Sequence, residues 1–90
     1  MTTLNVDFSK VELLRSRLGI TASDMAAACQ VSRMTYYLWV RGRTLRSAKA
    51  NRARKVIRVL LDLSKNELWA KEVNALSPDE RRSRFLALVG

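Results

Sequence analysis

The chain has 90 residues, of which 48% are hydrophobic, and carries 17 Lys and Arg against eight Asp and Glu, for a net charge of +9. Such a length suits one small domain with a modest core. A single cysteine, Cys29, and no histidine argue against a disulfide framework, a zinc site or a nucleophile–base pair, so neither an enzyme nor a cofactor is expected.

Met1 to Asp7 reads as a loose arm with no base in it. Ser9-Lys10-Val11-Glu12 has the form of a capping box, with Ser9 as cap and Phe8 and Leu13 as a hydrophobic staple. Val11, Leu14 and Leu18 form the apolar stripe of a first helix, which Gly19 ends.

Thr21 starts a second helix, because its hydroxyl can accept a first-turn backbone N–H. Met25, Ala26 and Cys29 make a narrow apolar stripe on it, and Ala26, Ala27 and Ala28 leave room for another helix to cross closely. Cys29 falls on the buried face and reads as a small hydrophobe. Ser32 starts a third helix over 32–41. Tyr36, Trp39 and Val40 form its inner side, and Arg33, Met34, Tyr37 and Leu38 its exposed side; Gly42 closes it. Two short helices with a tight turn and a steep crossing form a helix-turn-helix, whose second helix can enter a DNA major groove.

The residues Ile20-Thr21, Asp24-Met25-Ala26, Cys29, Val31-Ser32-Arg33, Thr35-Tyr36, Trp39 and Arg41-Gly42, in that register, resemble the Cro/repressor-type (XRE) helix-turn-helix family. The likeness covers Leu14 to Arg43. It departs from the family pattern at Ala22, where Gln is common, at Gln30, the usual turn Gly, and at Val40, where a Glu often pairs with an Arg on the first helix. Without that Glu, Arg15 is expected to find another partner, such as Asp24, or to stay solvated. The resemblance implies an all-α, five- to six-helix, lambda-repressor-like domain. It places Arg33, Met34 and Leu38 against base edges and Thr35 against a phosphate or a base, on a helix opened by Ser32.

The chemistry of these side chains agrees with that placement. Arg33 can bind guanine O6 and N7 in a bidentate way, and Met34 and Leu38 can pack on a thymine methyl. The Tyr37 hydroxyl can reach a phosphate. In the next loop Arg41, Arg43 and Arg46 are expected to grip the sugar-phosphate backbone, with Lys49 and Arg52 beyond them.

Ser47 is expected to cap a fourth helix running to about Leu63, with Ala53, Val56, Ile57, Leu60 and either Leu63 or Leu61 inward and Asn51, Lys55 and Arg58 outward. After a break at Ser64–Asn66, a fifth helix is expected over Glu67–Leu76, with Leu68, Trp69, Val73 and Leu76 on one side. Ser77-Pro78-Asp79-Glu80 is a strong helix start. The last helix presents Phe85, Leu86, Leu88 and Val89, with Arg81, Arg82 and Arg84 on its polar side. Residues 1–64 thus read as a DNA-binding domain and 65–90 as a C-terminal helical hairpin packed on it. The apolar surplus points to a homodimer through Trp69, Val73, Leu76, Phe85, Leu86 and Val89; completion of the monomer core is the alternative.

Between Met25 and Leu61 there is no acid, but there are nine bases: Arg33, Arg41, Arg43, Arg46, Lys49, Arg52, Arg54, Lys55 and Arg58. The net charge therefore belongs to the helix-turn-helix together with the loop and fourth helix beyond it, the footprint of a polyanion binder. The expected function is a dimeric, double-stranded-DNA-binding regulator, most simply an autorepressor of phage or plasmid type. The alternatives are an RNA-binding module using the basic fourth helix and an antitoxin whose hairpin holds a toxin or other protein partner. With no transmembrane-length apolar run and no signal-peptide pattern, no membrane association and a cytoplasmic location are expected.

Overall fold

The computed structural model describes residues 7–43, 45 and 47–90, and the regular elements among them are helices. They are α1 (Phe8–Arg17), α2 (Ala22–Cys29), α3 (Arg33–Val40), α4 (Ser47–Ser64), α5 (Glu67–Glu72), a 3-10 turn at Val73–Ala75, and α6 (Pro78–Val89). No helix among the described residues is long and apolar enough to cross a membrane. Residues 1–6, which hold most of the expected N-terminal arm, and Thr44 and Arg46 in the expected backbone-gripping loop, lie outside the described residues.

The start of α1 differs from expectation. Asp7 is the cap, its carboxylate accepting the Ser9 backbone N–H, so Ser9 is inside the helix and no Ser9–Glu12 box forms. Phe8 turns into the core beside Tyr36 and Trp39, with ring centroids 6.3 and 6.0 Å away, while Leu13 is 56% exposed. No staple joins the two. Glu12, released from capping, accepts two 2.6 Å bonds from the Arg15 guanidinium and one from the Tyr36 hydroxyl. Arg15 thus has a partner one turn away on its own helix rather than Asp24, and it also donates to the Ile20 carbonyl at 3.0 Å.

Helices α1, α2 and α3 all end in the same way. In each, the residue after the last turn has positive φ and its N–H returns to a carbonyl three residues back. The next N–H reaches five residues back, satisfying the orphan carbonyls in a Schellman arrangement. Gly19 and Gly42 fill this position on α1 and α3, and Gln30 fills it on α2 with φ 60°.

Helix α2 is the hub. It packs against α3, α4 and α6, and Met25, Ala26, Ala28 and Cys29 are all buried. At its start Thr21 and Asp24 form a reciprocal capping box. The Asp24 carboxylate is also held across the fold by α6: Arg82 Nε donates at 2.7 Å, and Arg81 Nε lies 3.6 Å from the other oxygen. Asp24 is 1% exposed, the one buried charged residue among those described. Burial pushes its carboxyl upward, but the bonds from Arg82 and the Thr21 backbone outweigh that and leave it below the ordinary range.

The other end of the fold closes around Trp69. Its indole N–H donates to the Leu18 carbonyl at 3.0 Å. Val73 lies against Gly19, where an added Cβ would stand 3.2 Å from a Val73 methyl. Trp69, Val73, Phe85 and Val89, expected at a dimer interface, are thus closed within the monomer's own core, and Leu86 packs against it half-buried. Leu76 is half-buried at the end of the 3-10 turn. The expected fifth helix is shorter than its sequence pattern: α-geometry stops at Glu72 and tightens into the 3-10 turn, and Leu68, expected on the apolar side, is 63% exposed. The last helix starts as expected, with Ser77 and Glu80 capping reciprocally and Pro78 in first position. Ser47 is the first residue of α4 rather than the residue before it.

Asp24→Ala removes a helix cap and leaves two arginines without their carboxylate, and is expected to cost about 2–4 kcal/mol. Because folding lowers the carboxyl pKa, the stabilisation is complete above the ordinary value of 3.8 and is lost as pH falls below it. Thermal melts of the wild type should therefore drop steeply below pH 4, and those of Asp24→Ala should drop less.

Candidate nucleic-acid interface

Helix α3 is amphipathic for a simple reason of spacing. Tyr36 and Trp39 point inward and are buried, and Val40 is half-buried. Arg33, Tyr37 and Arg41 fall at i, i+4 and i+8 on the opposite side, with Met34 and Leu38 beside them. These five side chains line one shallow concavity on the molecular surface. Met34 is 75% and Tyr37 44% exposed, Arg33 and Arg41 are exposed, and Leu38 is half-buried. Such exposure of a Met beside a Leu and two arginines is unusual for a face that serves folding alone.

The start of the helix is rigid. Ser32 accepts the Thr35 N–H at 3.1 Å, and the two hydroxyls are also hydrogen-bonded. Arg33 leans across the turn and donates to Ser23 Oγ on α2 at 3.2 Å. Ser23 was not singled out by the sequence pattern. Its position two residues into α2 was the available signal, since it faces the start of the crossing helix. At the far end, Gly42 and Arg43 return their N–H groups to Trp39 and Leu38. Arg43 is exposed just beyond.

The second half of the basic segment behaves differently. Arg52 Nε donates to the Ala28 carbonyl at 2.7 Å and Nη1 to the Gly90 carbonyl at 2.8 Å. Lys49 Nζ donates to the Gln30 carbonyl at 3.2 Å. Two α4 cations therefore sit on the C-terminal carbonyls of α2, where the helix dipole favours positive charge. Arg52, expected to touch phosphate, is committed to this seal; Lys49 shares it but keeps its side chain exposed at the α2–α3 turn. Leu45, between the two helices, is buried and anchors the loop.

The face as a whole offers two guanidinium groups, a phenol, two apolar side chains and no carboxylate. It can accept hydrogen-bond acceptors and negative charge around a central apolar strip. Helix α3 spans eight residues, about 12 Å in length, and a helix's cross-section is of the size that a B-DNA major groove admits. Cys29 stays apart from this surface: it is buried, and loss of hydration pushes its thiol to about 11, so it is inert at neutral pH. In comparisons with family models, curated proteins and solved structures, nothing matches the chain.

The α2–α3 turn provides a direct test of its own geometry. Gln30 sits at φ 60°, where a side chain is strained and glycine is not. Gln30→Gly is expected to raise stability by about 0.5–1 kcal/mol, after the added freedom of the unfolded chain is offset. Urea melts should show a higher midpoint with an unchanged slope.

Proposed function

We propose that the protein is a sequence-specific binder of double-stranded DNA and acts as a transcriptional regulator, most simply an autorepressor. The observation that carries this reading is the outward face of α3: Arg33, Met34, Tyr37, Leu38 and Arg41 share one concavity, inside a stretch of 37 residues without an acid. The helix order and the α2–α3 turn are those expected of a lambda-repressor-like domain of the Cro/repressor type, which supports that assignment. Arg33 and the flanking Met34 and Leu38 read base edges; Ser32, Thr35 and Tyr37 orient the helix; Arg41, Arg43, Arg46 and Lys49 hold the backbone.

A palindromic operator requires a twofold pair of these faces, with half-site centres one helical turn apart or a multiple of it. The second copy is assigned to the surface formed by the end of α4 together with α5 and α6. Leu61, Leu68 and Leu88 are 48%, 63% and 51% exposed there. Leu68 and Leu88 help line shallow grooves there, with Val59, Asp62, Leu63, Asn66 and Glu72. Acids and bases are interleaved at this end, including the Arg84–Glu72 pair. Two chains of charge +9 repel least where their surfaces are balanced.

Selection of sites from random duplex DNA should return a short palindromic motif. Against it, Arg33→Ala should cost about 1–3 kcal/mol and relax preference at one base pair, while Arg43→Ala should weaken all sequences alike and flatten the salt slope. An unchanged preference in Arg33→Ala would remove α3 as the reading helix. Sedimentation of a Leu68→Glu, Leu88→Glu double variant should give a monomer where the wild type gives a dimer; equal sedimentation would place the twofold elsewhere.

A further inference from the structure

Sequence-specific binding through α3 and its adjoining loop leaves a second basic surface unexplained. Along α4, Asn51, Arg54, Lys55 and Arg58 fall on the side opposite the buried Ala53, Val56 and Leu60, and all four are exposed. Among the described residues, none of the four donates a side-chain hydrogen bond or joins an ion pair. Lys55 leans toward Gly90, where its Nζ lies 3.3 Å from the place an added Cβ would take. Asp62 stands one turn beyond Arg58 on the same side, yet no ion pair joins them.

Folding does not account for this arrangement. Arg54 and Arg58 are like charges at i, i+4, which destabilises a helix. Lys49 and Arg52 close the end of α2, but Arg54 and Lys55 add two more cations to the first half of α4, which has no acid in its first turn, against the positive end of the helix dipole. Local rules broken without a gain in stability mark a candidate functional surface.

The ligand must be polyanionic and regularly spaced. Asn51 to Arg58 spans eight residues, a rise of about 10 Å, enough to lie along a short stretch of one phosphate backbone. The stripe supplies three cations over that length. Its direction also matters. Helices α1 and α2 each pack against both α3 and α4, whereas α3 and α4 do not pack closely on each other. None of the four outward α4 residues lines the concavity on α3, so the two basic surfaces are separate patches.

We propose that the outward face of α4, centred on Arg54 and Arg58, binds the sugar-phosphate backbone of a second DNA duplex, so that one protein molecule bridges two segments. The word second rests on the assignment of α3 as the reading helix. The contact is sequence-independent, because a row of arginines on phosphate carries no base information.

A bridging assay tests this with the full chain. One duplex is immobilised, and capture of a fluorescent duplex of unrelated sequence is read as a function of protein concentration. Arg54→Gln/Arg58→Gln is expected to bind the immobilised duplex within threefold of wild type and to lose capture at least tenfold. Its melting temperature should be equal or higher, since only like-charge repulsion is removed. Unchanged capture would overturn the proposal, and so would a parallel loss of both activities, which would put α4 on the same duplex as α3. Capture of duplex RNA in place of duplex DNA would also overturn it. Arg33→Ala in the same assay separates the two ideas. If it binds the immobilised duplex like wild type, the α3 reading fails, and the α4 surface still stands or falls on its own variant.

Discussion

The fold depends on how α2 is held at its two ends. This helix is eight residues long, too short to persist alone, and three other helices use it as their platform. At its N-terminus a buried carboxylate is clasped by arginines from α6. At its C-terminus the free carbonyls of Ala28 and Gln30 are closed by Arg52 and Lys49 from α4. Each end receives the charge its dipole prefers, acid at the start and base at the finish. With α2 fixed axially, Ala26 and Ala28 let its neighbours approach closely, and α3 is left with one side free.

That division of labour among the basic residues explains much of the surface. Arginines that look alike in sequence have separate tasks. Arg15 is consumed by Glu12, Arg52 by backbone carbonyls, and Arg82 by Asp24. Arg33, although it touches Ser23, remains exposed on α3 with Arg41. The effective positive potential is thus narrower than the net charge suggests, concentrated on α3, its adjoining loop and the outer side of α4.

Most helices were legible because their signals are local. Thr21, Ser32 and Ser77 cap where their hydroxyls can reach the first turn, and the inward spacing of Tyr36 and Trp39 survives intact. Exposure of Arg33, Met34 and Tyr37 came from the same periodicity. What escaped the sequence was partner choice over distance. Ser9 and Asp7 both fit a cap, and only the inward turn of Phe8 decides for Asp7. Arg81 and Arg82 look like solvated charges until α6 is laid across α2. The apolar residues of α5 and α6 carry no mark that separates a subunit contact from a core. Burial of Trp69 and Phe85 depends on how the chain returns between α5 and α6, where the 3-10 turn at Val73–Ala75 lies.

The clasp on Asp24 joins residues 58 positions apart. Contacts of such reach form late, because a long loop must close before they return anything. A nascent chain that has extended only through α4 holds Asp24 with its capping bonds but without its counter-charge, in a site not yet walled off from water. Helix α2, the platform on which α3 packs, therefore gains its full support only once α6 has arrived. The tail is in this sense a latch on the timing of maturation: a molecule interrupted before it would retain the first four helices in its letters and lack the counter-charge that fixes the second of them.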